Sequence, residues 1–586
     1  MVSREPIGSA ENAVPVGRLA WPRLEATALP LHAVSLLTVA SLFTLFVLRA
    51  LDDNRLTSWR WVFSAEDALR FLLLLAAAVL VAHAAARSGS RLRRPGLVLF
   101  AGAYAAAALL WSEPEVIVDA ARYFTQAKHA EAYGIGYFLK AWGGEIQAWT
   151  DLPLVPLLYG AIFKLFGEER AYIQACTSLL FAGATVFTYL IGRMLWSEAL
   201  GLAAGALLLG MPYLLTQVPL TLVDVPTMFF LTLAVWATLE ALWRGGPVRL
   251  ALACAAIALA LLSKYSVWLM SSVLPVAAVV AVVESRARPA QALRRTGAIA
   301  VASALLVALA LFPMAEVIGA QLALLRDFQA PGLGRWEESF ASTFLFQIHP
   351  FIAVAAVVSM YLAWRARDGR YAIIAWLPLL MLVLGIRRAR YLVPMFPMLA
   401  LMAAYGLQAI RPAALRRHTV LCVVASSLVI SLFGFLPFLK GASAANLKHA
   451  GAYLDTLGDE SIEVVTLPQV HVPVNPAISV PLLDLHTGKR LIAVAEQSPP
   501  PEAGRANSPL RFTWEYRSSA YYGAPSRDGR RLPVAVIASD AATKLPPWLA
   551  RRLAGHRLAR EFTDSENVFG YRTFVSVYLP AAAGEF

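Results

Sequence analysis

The chain has 586 residues, 58% of them hydrophobic and only 15% charged, with a formal net charge of +13 and a mean hydropathy of +0.60. Soluble domains carry about a quarter charged residues, so this chain cannot cover itself with polar surface in water and needs lipid around much of it. The basic excess does not point to nucleic acid, because the arginines sit in short clusters between apolar runs and not in one stripe.

A polar leader, residues 1–30, precedes the first apolar run, Leu31–Leu48. No small-residue cleavage pattern follows that run, so it is expected to remain as a signal anchor. A bilayer-crossing helix needs ~20 mostly apolar residues. By that measure spans are predicted at Leu31–Leu48, Ala68–Ala86, Gly96–Trp111, Ala171–Gly192, Ala199–Leu215, Val223–Trp243 and Val248–Leu262. Further spans are predicted at Val267–Val283, Gly297–Pro313, Phe346–Trp364, Tyr371–Ile386, Tyr391–Ile410 and Thr419–Leu439, about 13 in all. Leu152–Phe166 is apolar but short, contains Pro153, Pro156 and Lys164, and reads as an interfacial or re-entrant helix.

Arginine placement orients the chain. Alternate loops carry Arg87, Arg91, Arg93 and Arg94; Arg193; Arg244 and Arg249; Arg286, Arg288, Arg294 and Arg295; Arg365, Arg367 and Arg370; and Arg411, Arg416 and Arg417. Such loops belong in the cytoplasm, which puts the N-terminus inside an inner membrane and the tail from Lys440 outside it. The expected organisation is a leader (1–30), three spans (31–111), an outer loop (112–170), the remaining spans (171–439) and a soluble extracytoplasmic α/β domain (440–586). In that domain Ala445–Leu457 has the pattern of an amphipathic helix, and Ile462–Leu467, Val534–Ala538 and Phe574–Leu579 have that of strands. Cys176, Cys254 and Cys422 all fall in apolar runs without metal-ligand spacing and read as small buried hydrophobes.

Ionisable residues near a bilayer are costly, so their positions inform. On this topology four groups meet at the outer face: the loop bearing Glu113, Glu115, Asp119, Arg122, Tyr123, His129, Glu131, Glu145 and Asp151; Asp224 at the start of a span; Lys264-Tyr265 between two apolar runs; and Arg387-Arg388-Ala389-Arg390-Tyr391. The last cluster breaks the positive-inside pattern, as a bound anion would explain. Arginine forks match phosphate and a lysine adds a point charge, while a nearby carboxylate suits proton transfer. Chemistry on a lipid-linked phosphate fits that combination.

Several short elements carry a family resemblance. Val118-Asp119-Ala120-Ala121-Arg122-Tyr123 resembles the Asp-Glu-x-Arg-Tyr element of GT-C glycosyltransferases, and Leu152–Tyr159 followed by Phe163–Gly167 resembles the next one. Leu262-Ser263-Lys264-Tyr265 and Arg390-Tyr391-Leu392-Val393-Pro394 are similar to later elements in the right order. The chain departs from the pattern twice: Ala120 stands where a second carboxylate is common, and Asp151-Leu152-Pro153 replaces a His-Pro-Pro or Lys-Pro-Pro. The nearest relatives on this reading are aminoarabinose transferases of lipid A and protein O-mannosyltransferases.

The resemblance implies a GT-C fold and an inverting glycosyltransferase. A polyprenyl-phosphate-linked sugar is the implied donor, and lipid A, another glycolipid or glycan, or a protein the implied acceptor. Asp119 takes the part of catalytic base. Arg387, Arg390 and Lys264 are phosphate candidates, and Arg122, Tyr123, Asp224, Tyr265 and Tyr391 complete the substrate-binding set. Simpler roles stand beside these: Asp119 could cap its helix or pair with Arg122, Lys264 and Asp224 could pair across helices, and the arginines could snorkel to headgroups. No cofactor is called for. A divalent metal stays open, although His129, Glu131 and Glu115 lack tight spacing. The alternative function is a transporter or lipid flippase, which would place ionisable residues at mid-membrane in paired repeats.

Overall fold

The computed structural model describes residues 28–51, 67–87, 92–116, 118–284, 289–336, 338–469, 474–494, 511–523, 531–566 and 571–581. The leader before residue 28 and Arg91, Arg286 and Arg288 lie outside the described residues. Every apolar run predicted as a span is largely helical, though several are cut or end early. Eight helices are long and apolar enough to cross a membrane by length and composition: Leu29–Leu48, Ala68–Arg87, Arg170–Leu195, Asp224–Arg244, Ser266–Glu284, Pro289–Gln329, Ala389–Ala409 and Ala413–Lys440. The other runs form the shorter helices Pro95–Ala108, Glu198–Leu208, Pro247–Ser263, Pro350–Ala366 and Tyr371–Val383. Proline explains much of the shortening. Pro95, Pro247 and Pro350 open their helices, where a missing N–H costs nothing. The Ala199–Leu215 run is cut at Gly210-Met211 and resumes as Pro212–Gln217.

One helix overshoots the sequence reading. The segment predicted to end at Pro313 continues to Gln329, because Pro313 sits in a tightened turn, Phe312–Met314, that absorbs it. The extra turns carry Gln321 and Gln329 to the site described below.

Asp224–Arg244 and Ala389–Ala409 are buried nearly all round and form the centre of the bundle, whereas Leu29–Leu48, Ala68–Arg87 and Pro289–Gln329 expose leucines at its rim. Small residues let the inner helices meet closely: a Cβ on Gly192 would stand 2.7 Å from the Cα of Gly201.

Polar contacts sort the loops into two faces. On one, Arg370 donates to the Leu195 carbonyl at 2.8 Å, Arg295 to Leu242 at 2.8 Å, Arg417 to Ala86 at 2.5 Å, and Trp196 to the Asp368 carboxylate at 2.7 Å. These are the arginine-bearing loops. The opposite face holds the helix Val118–Ala141, kinked at Gly134, and the 13-residue helix Leu154–Phe166 packed along it. The latter spans only about 20 Å, and a Cβ on its Gly160 would lie 2.6 Å from the Ala127 carbonyl oxygen.

The C-terminal domain sits on this second face. Its strands are β1 (Ser461–Thr466), β2 (Arg490–Val494), β3 (Val534–Ala538), β4 (His556–Phe562) and β5 (Phe574–Pro580), in the order β2-β1-β3-β5-β4. β1 runs parallel to β2 and β3, and β5 antiparallel to β3 and β4. β3 is buried along its whole length, as a continuous apolar run predicts. The edge strand β4 carries exposed Arg557 and Glu561 and a register shift, features that blunt an edge and also hide it from hydrophobic patterning. β2 was likewise not foreseen. Leu549 and Leu553 cover one side of the sheet. The other side packs through Leu447 and Leu483 onto Tyr123, Phe124 and Ala127 of the helix Val118–Ala141. Lys128 ties the two parts together, reaching Glu168 at 2.7 Å and Asp484 at 2.6 Å.

Candidate active site

Four breaks in helical structure converge on one cavity of about 380 Å³. Asp119 lies in the first turn of Val118–Ala141, and Asp224 is the first residue of its helix. Helix starts favour carboxylates because their unpaired N–H groups present a partial positive charge. Lys264 stands where the helix ending at Ser263 gives way to extended backbone before Ser266–Met270. Arg388 is extended and precedes the short helix Ala389–Leu392. Charged side chains thus sit where the backbone is also polar, at one end of the bundle.

The charges interlock. Arg390 bridges two carboxylates, pairing through Nη1 with Asp119 and through Nε with Asp224 at 2.8 Å. Lys264 meets the other Asp224 oxygen at 2.5 Å. Arg122 lies 3.5 Å from Asp119 and 2.8 Å from Asp151, whose second interaction is with the Gln126 amide at 3.0 Å. Asp224 is fully buried and Asp151 is 5% exposed, whereas Asp119 is 32% exposed. Of the three carboxylates, Asp119 is therefore the most open to a molecule in the cavity, which Asp151 also lines. Burial alone would raise its proton affinity, but Arg390 and Arg122 outweigh that and hold it well below the usual carboxylate range. For Asp151 burial wins over Arg122, and its carboxyl is pushed up.

Asp119, Arg122, Tyr123, Lys264, Tyr265, Arg390 and Tyr391 all line the cavity, while Asp224 lies behind Lys264 and Arg390. Tyr265 donates to Gln321 at 2.6 Å, and Gln321 donates to the Asp151 carbonyl at 2.8 Å. Lys264 and Arg388 both stand over the Tyr391 ring, 5.6 and 5.0 Å from its centre. Arg387 is the exception. It is exposed, stacks on Phe340 at 5.7 Å, and does not line the cavity; its neighbour Arg388 does. In extended backbone adjacent side chains point to opposite sides, so only one of the two can face inward.

Sequence reasoning set Asp151 and Arg388 among the converging charges but outside the substrate-binding set, and it passed over Gln321. Asp151 occupied the slot where the family motif carries a histidine or lysine, which was the available signal. Gln321 gave one only in retrospect, as a buried polar residue on a helix prolonged past its span. Among the described residues, no group of three or more His, Cys, Asp or Glu is placed to hold a metal ion.

Residues 151–315 match the family model for dolichyl-phosphate-mannose-protein mannosyltransferases. No curated protein matches the sequence. Among solved structures the fold is similar to ArnT from Cupriavidus metallidurans bound to undecaprenyl phosphate, with a TM-score of 0.52 and 14% identity over 83% of this chain and 98% of that one. A weaker likeness links it to the archaeal oligosaccharyltransferase AglB from Archaeoglobus fulgidus in complex with an inhibitory peptide and a dolichol-phosphate, with a TM-score of 0.43 and 11% identity over 67% of this chain and 64% of that one. Over residues 151–315 the chain is similar to the dolichyl-phosphate-mannose-protein mannosyltransferases, and its overall fold is similar to that of ArnT.

Proposed function

We propose that the chain moves a sugar from a polyprenyl-phosphate donor to an acceptor hydroxyl or phosphate at the extracytoplasmic face, inverting the anomeric carbon. One observation carries the reading: the accessible carboxylate, Asp119, shares a cavity with Lys264, Arg388 and Arg390, so a base and an anion site adjoin. Cations outnumber carboxylates in the lining, which suits an anionic head, and the apolar remainder, with Leu269, Met270, Leu325, Phe328 and Met381, suits an isoprenoid chain. ArnT, solved with undecaprenyl phosphate, supports that class of donor.

In this mechanism the acceptor oxygen attacks the anomeric carbon as the bond from that carbon to the phosphate oxygen breaks. The electron pair leaves with the polyprenyl phosphate, and the acceptor proton passes to Asp119. Arg390 couples the two events. While it pairs with Asp119 the carboxylate is a poor base. A donor phosphate that draws Nη1 away removes the strongest positive neighbour, and the proton affinity of Asp119 rises. Lys264 and Arg388 then meet the charge developing on the leaving phosphate, where preorganised cations contribute most. Asp224, buried beneath, keeps Lys264 and Arg390 aimed. The C-terminal domain, docked beside the cavity, is the reading's acceptor-side element. The basic loops of the opposite face, on the positive-inside pattern, lie in the cytoplasm of an inner membrane.

The test uses purified protein with a synthetic undecaprenyl-phosphate sugar and candidate acceptors suggested by mass spectrometry of envelope glycolipids and glycoproteins from a deletion strain. Asp119→Asn should abolish transfer, by a factor of about 100 to 10,000, while undecaprenyl phosphate still binds. Retention of transfer in that variant would overturn the reading.

A further inference from the structure

A second cleft lies at the other end of the bundle. It is an open groove of about 760 Å³ between the helices Pro350–Ala366 and Tyr371–Val383, floored by Met360, Ala363, Ala372 and Leu379 and rimmed by Arg365 and Arg367. Tyr371 begins a helix whose far end carries Met381 into the Asp119 cavity, so the end of the groove beside Tyr371 lies about 15 Å from Met381 along that helix. Nothing in the proposed transfer uses this groove.

Its rim is chemically distinct from the loops around it. Among the described residues, Arg370 and Asp368 beside it are engaged. Arg370 pairs with Glu284 at 2.5 Å, and the Asp368 carboxylate is taken up by Trp196 at 2.7 Å and Tyr405 at 3.2 Å. Arg365 and Arg367 are exposed and carry no ion pair or side-chain hydrogen bond among the described residues. Arg367 also sits at φ 51°, ψ 39°, the left-handed cap that ends its helix. Glycine fills that position at lower cost, so an arginine stands here at some backbone expense. Beside it Trp364, 77% exposed, and Tyr361, 51% exposed, project from the same turn of helix, the pairing that marks a lipid–water boundary.

We propose that this groove binds one anionic phospholipid of the surrounding leaflet. The phosphodiester is held between Arg365 and Arg367, and an acyl chain lies along the alanine-rich floor. The charges are complementary, the floor is apolar, and basic pockets between membrane helices take lipid headgroups. Planar guanidinium forks suit a phosphate better than point charges do. The site is independent of the transfer reaction, and so is its test.

The experiment is native mass spectrometry of the intact protein in detergent, titrated with phosphatidylglycerol or phosphatidylcholine. Wild type should retain one phosphatidylglycerol in preference to phosphatidylcholine. Arg365→Gln combined with Arg367→Gln should weaken that retention by roughly tenfold to thirtyfold. The control pair Arg244→Gln and Arg249→Gln, whose guanidiniums lie on Glu240 at the same face, should change it less than about threefold. Arg367→Gly should lose lipid while keeping or raising the thermal midpoint, which separates headgroup binding from backbone need. Equal retention by the double variant, or an equal loss in the control pair, overturns the proposal. Displacement of the lipid by millimolar inorganic phosphate also overturns it, since the site would then belong to a soluble anion.

Discussion

Lys264 offers a test that separates a structural ion pair from a substrate contact. Asp224 is fully buried and neutralises both Lys264, at 2.5 Å, and Arg390, at 2.8 Å. Asp224→Asn leaves the lysine facing an amide, and breaking a buried pair from one side costs roughly 3–5 kcal/mol. Arg390 keeps Asp119 as its second partner, so the damage concentrates on Lys264. Adding Lys264→Met removes the stranded charge and should restore stability to within about 1 kcal/mol of wild type, a large coupling for two residues in contact. Transfer should behave otherwise. If Lys264 meets the leaving phosphate, the double variant stays down by ~100–1000-fold in kcat/KM although it is stable again. The assays are thermal unfolding in detergent followed by intrinsic fluorescence, and transfer from a polyprenyl-phosphate sugar, across all four members of the cycle. Recovery of transfer together with stability would refute the reasoning, because Lys264 would then serve only as a counter-ion.

Three further outcomes are expected. Arg387→Gln, outside the cavity, should keep transfer within about threefold, whereas Arg390→Gln should lower it ~100–1000-fold; a larger loss from the first would move the phosphate site. Glu168, clustered with Lys128 and Asp484, is raised from 4.5 to about 7 by burial and by Asp484, against the pull of Lys128. Between those two values the folded state holds the extra proton, so this group's contribution to stability should fall as pH rises from about 4.5 to about 7 and stay level above. Glu168→Gln should flatten the dependence of the thermal midpoint over that window, and an unchanged slope would assign it to other groups. Gly160→Ala should cost about 1–3 kcal/mol and reduce transfer, because the added methyl meets the Ala127 carbonyl oxygen and the Ala130 Cβ, each at 2.6 Å; full activity with unaltered stability would show that the two outer helices are free to part.

The parts of this protein legible in its sequence are those that depend on local composition. A bilayer-crossing helix is specified by its own length and apolarity, so the predicted runs reappear as helical segments, eight of them long enough to cross a membrane. β3 and its neighbours β1 and β5 announce themselves as apolar stretches, while β4, an edge strand with charges on its open side, does not. The Asp-x-x-Arg spacing at Asp119 and Arg122 places both on one face of a helix, and that too was readable.

The site itself was only partly so. Asp119 and Arg390 are 271 positions apart and meet because helix packing brings them together. Which of two adjacent arginines faces the cavity depends on the backbone at Arg388, and which polar residue braces Tyr265 depends on a helix continuing past Pro313. From its residues alone the chain declared a lipid environment and a set of charges at the ends of apolar runs, since transfer energies act residue by residue. Tertiary structure alone decided that one arginine joins two carboxylates beside an open cavity, since that contact is a property of packed helices and of no single segment.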